Sequence, residues 1–260
     1  MERKSMERKG EGMDKNEIKA ATCAKAVEDL VKSGMKVGLG TGSTAIHAVR
    51  EIGLLIGAGK LTDIFAVPTS FQTLMACETW GIPLYTLNSK EINGALDLTI
   101  DGADEVDPNN YCVKGGGGAL LLEKIVAYAS AAYAIVADES KAVDHLALRF
   151  PAPLEIVPEA RVSVIQAVEA IGASAVLREA VRKAGPVITE HGNLLLDITF
   201  RSPVDPALLE RELNQIPGGV ENGFFTRLSP RVFIGRADGT VEVRPAASDG
   251  SISVMRSGPK

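Results

Sequence analysis

Between Met35 and Asp138 the chain repeats one pattern: a short apolar run, a turn bearing glycine or aspartate, then a segment of helical length. The runs "MKVGLG", "DIFAVP", "LDLTIDGAD", "YCVKG" and "YAIVAD" read as strands, and 14–33, 45–55, 70–80 and 118–131 read as helices. Gly34 stops the first helix, and Gly81 with Pro83 stops the third. Such alternation leaves few options. It specifies an α/β unit with a mostly parallel, Rossmann-like sheet covered by helices. In open sheets of this kind, ligands lie outside the carboxyl ends of the strands.

The texture changes at "FPAPLEIVP", where closely spaced prolines mark a boundary. Strands at 154–157, 174–178, 194–199 and 220–225 then alternate with helices at 160–171 and 205–214. That order is βαββαβ, the ferredoxin-like pattern of a small α+β domain. "RVFIG" and "TVEVR" read as strands returning to the first sheet. The expected division is therefore 14–150 with 226–245 as the Rossmann-like domain and 151–225 as the inserted ferredoxin-like one. Residues 1–13, with their MERK echo, and 246–260 read as flexible tails.

Composition narrows the class of partner. A net charge of −5 over 260 residues disfavours nonspecific nucleic-acid binding, which needs a clustered basic face. An anionic small ligand needs only local positive charge. Cys23, Cys77 and Cys112 are widely spaced and form no disulfide framework or metal knuckle, which suits a reducing cytoplasm. No run approaches the roughly 18 apolar residues of a membrane span, and the charged start lacks a secretory core.

Three segments fall where a ligand is expected. "GLGTGSTA" (38–45) lacks the lysine of a P-loop and has Ser43 where a dinucleotide fingerprint needs its last glycine. Thr41, Gly42, Ser43 and Thr44 still offer hydroxyls and amides at a helix start, an anion cradle or a plainly capped turn. "DGAD" sets Asp101 and Asp104 around Gly102 and Ala103, an Asp-rich turn or a carboxylate pair for proton transfer and sugar hydroxyls. "KGGGG" sets Lys114 before Gly115, Gly116, Gly117 and Gly118, where the lysine can oppose a developing negative charge. Glu123 shares a helix face with Ala119, Ala127 and Ser130, away from the greasier Leu122, Ile125 and Val126. It is either solvent-facing or, at a pocket mouth, a base with a raised pKa. Lys141 in "ADESK" follows a strand end and can reach the same crevice. His47, His145 and His191 are scattered and show no metal-ligand spacing.

In this order, "GLGTGSTA", "TIDGADEVD", "KGGGGALLLEKI", "ADESK", "FPAPLEIVP" and "IPGGVENGFF" closely resemble the type A ribose-5-phosphate isomerase family, from about residue 14 to 243. The resemblance implies a two-domain enzyme of pentose phosphate metabolism that interconverts ribose 5-phosphate and ribulose 5-phosphate without metal or cofactor. It implies Glu123 as the proton-abstracting base and Lys114 as the group that stabilises the intermediate. Asp101 and Asp104 bind the sugar, with Asp101 assisting ring opening, while 41–44 and Lys141 bind substrate. A homodimer or homotetramer is also implied. One departure is Leu121-Leu122, where many members carry a polar or basic pair; it makes the surroundings of Glu123 drier. Two rival readings stand beside this one: a CoA transferase of related fold with a glutamate nucleophile, and a non-catalytic sugar-phosphate sensor. Such sensors normally add a DNA-binding helix-turn-helix, for which the segment before residue 14 is too short.

Overall fold

The structure, a computed structural model, describes residues 14–246. The tails expected at 1–13 and 246–260 fall, apart from Ala246, outside the described residues. The first part of the chain runs α1 (Lys15–Leu30), β1 (Lys36–Leu39), α2 (Ala45–Gly57), β2 (Phe65–Pro68) and α3 (Phe71–Thr79). It continues through β3 (Leu96–Gly102), β4 (Glu105–Val106), β5 (Cys112–Val113), α4 (Leu120–Tyr128) and β6 (Ser130–Asp138). Then come β7 (Ala152–Ile156), α5 (Arg161–Ala170), β8 (Ser174–Leu177), β9 (Leu194–Thr199) and α6 (Pro206–Leu213). The last strands are β10 (Gly219–Asn222), β11 (Phe224–Phe225), β12 (Arg231–Gly235) and β13 (Val241–Arg244).

The central sheet has six strands in the order β13-β12-β6-β3-β1-β2. All its pairings are parallel except the edge pair β12–β13, so the two returning strands sit where the sequence puts them. Val37, Leu39, Ile100, Val136 and Phe233 from the sheet pack with Val27, Val49 and Ile52 from α1 and α2. Removing such side chains from water is what drives the layer together, at about 25 cal/mol per Å² of apolar surface. A second, antiparallel sheet has the order β10-β7-β9-β8. Numbered within the unit this is 4-1-3-2, the ferredoxin-like arrangement. Leu154, Ile156, Leu196 and Ile198 on its inner face bury Val164 and Val168 of α5 and Leu213 of α6. The fold is thus α/β, a mainly parallel central sheet plus smaller antiparallel ones.

Three local expectations change. The helix read at 118–131 ends at Tyr128, and Ser130 already begins β6. Leu96 N donates to Ala129 O (2.9 Å) and Leu96 pairs with Ser130, so the sheet takes residues that alanine propensity alone assigns to a helix. "YCVKG" does not join the parallel sheet; β5 lies in a separate three-stranded sheet, β11-β5-β4. The single strand read at 220–225 is two. At Gly223 the chain leaves the antiparallel sheet as β10 and enters the small sheet as β11. A Cβ there would lie 2.4 Å from Lys114 O, so only glycine permits the crossing. Among the described residues, no helix is long and apolar enough to cross a membrane.

Candidate active site

β1 and β3 are neighbours, in the register Leu39↔Ile100, so the turns that follow them leave the sheet side by side. Asp101 is fully buried on β3. Its Oδ1 accepts from Gly102 N (2.7 Å) and Thr41 N (3.2 Å), which binds the 41–44 loop to the carboxylate. A Cβ on Gly40 would lie 2.0 Å from that same oxygen. Asp101 Oδ2 lies 2.9 Å from Lys114 Nζ, an ion-pair distance, although off the line of a hydrogen bond.

Lys114 arrives from the end of β5, and its own N donates to Gly223 O (2.9 Å). The side chain is buried; Nζ donates to Gly102 O (2.6 Å) and lies 3.4 Å from Glu123 Oε1. Burial opposes its charge, but Asp101 and Glu123 outweigh that and hold the ammonium above the ordinary lysine range. Glu123 projects from the first turn of α4 and is only 4% exposed. Burial pushes its carboxyl up; Lys114 pulls it down, Asp101 and Asp104 push it up again, and it settles at about 8. Asp101 is also raised, by burial first, against the pull of Lys114.

Three buried side-chain oxygens among the described residues have no hydrogen-bond partner: Asp101 Oδ2, Glu123 Oε2 and Tyr133 Oη. Tyr133 feels the charges of both carboxylates, in addition to its burial. The two carboxylate oxygens belong to the groups that flank Lys114, where a ligand donor can meet them. Tyr133 instead packs in the apolar cluster with Cys112, Ile135 and Phe225.

The glycine run packs against this centre. Gly115 (φ +102°) and Gly118 (φ +84°) occupy the left-handed region that disfavours side chains. Gly116 N donates to Asp104 Oδ2 (2.7 Å). A Cβ on Gly116 would lie 2.6 Å from Asp104 Oδ1 and 2.8 Å from the Phe150 ring, whose face lies 5.9 Å from Lys141 Nζ. Lys141, in a short turn after β6, therefore stands beside the glycine loop. Across the gap, Gly117 faces Thr41. Thr41 Oγ1 shares a hydroxyl cluster with Thr69 (2.8 Å) and Ser70 (2.7 Å), so this threonine is fixed. Thr44 caps α2 by position but makes no side-chain bond to its amides. Ser43 Oγ accepts from Lys19 Nζ (2.9 Å).

The structure thus brings together Asp101, Asp104, Lys114, Glu123 and the glycines, with 41–44 and Lys141 at the margins. Lys19 and the hydroxyl cluster are absent from the sequence reading. A lysine on the exposed side of a first helix carries no local signal of its neighbour Ser43 in the turn before α2. Lys124, next to Glu123 on α4, is 2% exposed; its Nζ lies 2.9 Å from Glu221 Oε1 and 3.2 Å from Glu210 Oε1. It thereby ties α4 to α6 and β10 of the antiparallel unit. Ile125, expected on the greasy side, is 45% exposed. Leu122 packs on Val67, Ile92 and Leu96, in keeping with dry surroundings for Glu123. Among the described residues, no three His, Cys, Asp or Glu side chains are arranged to hold a metal ion.

Known proteins place this geometry in a family. The ribose 5-phosphate isomerase A (phosphoriboisomerase A) family pattern matches residues 65–239. A ribose-5-phosphate isomerase A of Treponema denticola is 50% identical over 88% of this chain and 99% of its own. One from Treponema pallidum is 50% identical over 90% and 95%. Ribose 5-phosphate isomerase A of Methanocaldococcus jannaschii superposes with a TM-score of 0.82 at 42% identity, covering 89% of this chain and 99% of that one. A D-ribose-5-phosphate isomerase solved in complex with phospho-erythronic acid superposes with a TM-score of 0.85 at 38% identity, with the same coverage. The chain belongs to the ribose 5-phosphate isomerase A family.

Proposed function

We propose that this chain interconverts D-ribose 5-phosphate and D-ribulose 5-phosphate, with Glu123 carrying the proton between C2 and C1. The observation that carries this reading is the buried Lys114 ammonium set between Asp101 and Glu123, with Glu123 raised to about 8. Asp101, also raised, passes a proton to the furanose ring oxygen as the C1–O bond breaks, and the anomeric hydroxyl proton returns to its carboxylate as the C1 carbonyl forms. Glu123 then removes the C2 proton of the aldehyde. The C–H electrons form the C1–C2 double bond, and the carbonyl electrons move to O1. Lys114 and the glycine amides face the resulting cis-enediolate charge, worth several kcal/mol when such donors are fixed in advance. The O2 proton moves to O1, and Glu123 returns its proton to C1, giving the ketose. Phospho-erythronic acid, bound by the structural relative, carries a carboxylate where an enediolate would carry charge. Ser43, Thr44 and Lys19 hold the phosphate at the start of α2, where amides and the helix dipole favour anions. Lys141 adds a second cation.

The CoA-transferase and sensor readings have no supporting observation in this geometry. Three free, buried cysteines suit the cytoplasm, and assembly as a homodimer or homotetramer completes the proposal.

The test is turnover of ribose 5-phosphate with and without exhaustive EDTA, followed by solvent-deuterium exchange into substrate. The wild type should be active in both buffers, because Lys114 supplies the charge a metal would. Glu123→Gln should lose roughly 10³-fold or more in both turnover and exchange. Exchange at the wild-type rate in Glu123→Gln would show that another group is the base.

A further inference from the structure

Arg178 follows β8 in the antiparallel unit, yet its guanidinium reaches the glycine loop of the central unit. Its Nε lies 3.0 Å from Asp197 Oδ2 and 3.2 Å from Oδ1, and NH2 also donates to Asp197. The remaining NH1 donates to two successive carbonyls, Gly115 O (2.9 Å) and Gly116 O (3.2 Å). The side chain is 15% exposed.

Peptide planarity turns this clamp into a statement about the site. In a trans peptide the carbonyl and the next N–H point in opposite directions. Holding Gly115 O therefore turns Gly116 N–H to the far side, where it meets Asp104 Oδ2 at 2.7 Å. Holding Gly116 O likewise turns Gly117 N–H away from Arg178. That amide has no partner among the described residues, and Gly117 faces Thr41, with 3.9 Å between an added Cβ and Thr41 Cγ2. Gly118 N also closes a turn onto Gly115 O (2.9 Å). The Gly116 carbonyl, however, is held by Arg178, and without it the glycines leave that peptide free to rotate. With Nε and NH2 held by Asp197, the two in-plane N–H donors of NH1 point in fixed directions, whereas the three donors of an ammonium rotate. Its charge is answered by Asp197, so its influence on the site is geometric.

We propose that Arg178, held by Asp197, is a positioning residue for the enediolate step: it aims the Gly116 amide at Asp104 and the Gly117 amide at the developing oxyanion. This rests on the isomerase reading. It is tested with Arg178→Ala, Arg178→Lys and Asp197→Asn, each compared with wild type for kcat, KM, inhibition by phospho-erythronic acid and thermal midpoint. Arg178→Ala should lose roughly tenfold to 100-fold in kcat, the scale of a small misplacement at the reacting centre, with KM within about threefold. Phospho-erythronic acid should weaken in step with kcat/KM, and added guanidinium should restore part of the loss. Arg178→Lys, which keeps charge but not the fork, should remain impaired; Asp197→Asn should fall between. Unchanged kcat in folded variants, or a loss confined to KM or to thermal midpoint, would overturn the assignment and leave Arg178 a tether between sheets. Should Arg178→Ala not fold, the other two variants give the same reading. An inert wild type would overturn both readings, whereas an active wild type with unimpaired variants overturns this one alone.

Discussion

Glu123 shows how one side chain carries opposite demands. Burial lifts its carboxyl from 4.5 to about 8, so between those values the folded chain holds a proton that the unfolded chain releases. The folded state then binds more protons, and Glu123's contribution to stability falls as pH rises through that window, levelling above about 8. Activity runs the other way, because a base must first lose its proton. The acid limb of kcat/KM should rise with pH to a midpoint near 8, and substrate-free stability should decline over the same range. Parallel pH–rate and urea-unfolding series read both; a kcat/KM that is flat through pH 8 would show that Lys114 outweighs burial and keeps Glu123 ionised. The position of Glu123 on a small-residue face was legible from helical spacing. Its pKa was not, because it is set by burial and by the charges of Lys114, Asp101 and Asp104, which other elements bring to it.

At the level of elements, the turns after β1 and β3 and the glycine loop were legible, because glycine where chains touch leaves a mark in sequence. Gly40 is the sharpest case: the β1 turn crosses Asp101 with no room for a methyl group. Gly40→Ala should destabilise by about 1–3 kcal/mol, the usual range for overpacking. It should also cut kcat/KM by more than tenfold, since moving the turn moves the Asp101 carboxylate that Lys114 faces. Urea unfolding together with kinetics checks this; normal activity at reduced stability would separate the turn from the carboxylate. Element ends were harder to place. No local breaker marks the change from α4 to β6 at Ala129, and the pairing of Ser130 with Leu96 decides it. The end of β10 likewise depends on which sheet Gly223 faces.

Across the whole molecule, the α/β and ferredoxin-like layers were readable from periodicity, whereas side-chain contacts between distant elements were not. Arg178 on the glycine carbonyls, Lys19 on Ser43 and Lys124 between Glu210 and Glu221 each join residues far apart in sequence. Nothing local to an arginine or lysine announces a distant acceptor. The crossing at Gly223 has a consequence for the order in which the protein matures. Lys114 has its backbone partner only once residue 223 arrives, after the whole intervening chain has been threaded into place. Closing so long a loop is entropically costly and tends to come late. Diluted from denaturant, the chain should regain helical circular dichroism before it regains turnover. Simultaneous recovery of the two signals would mean that the ammonium is seated early. In the expected order, catalytic competence is a timestamp of completed folding, and a stalled chain is helical but chemically silent.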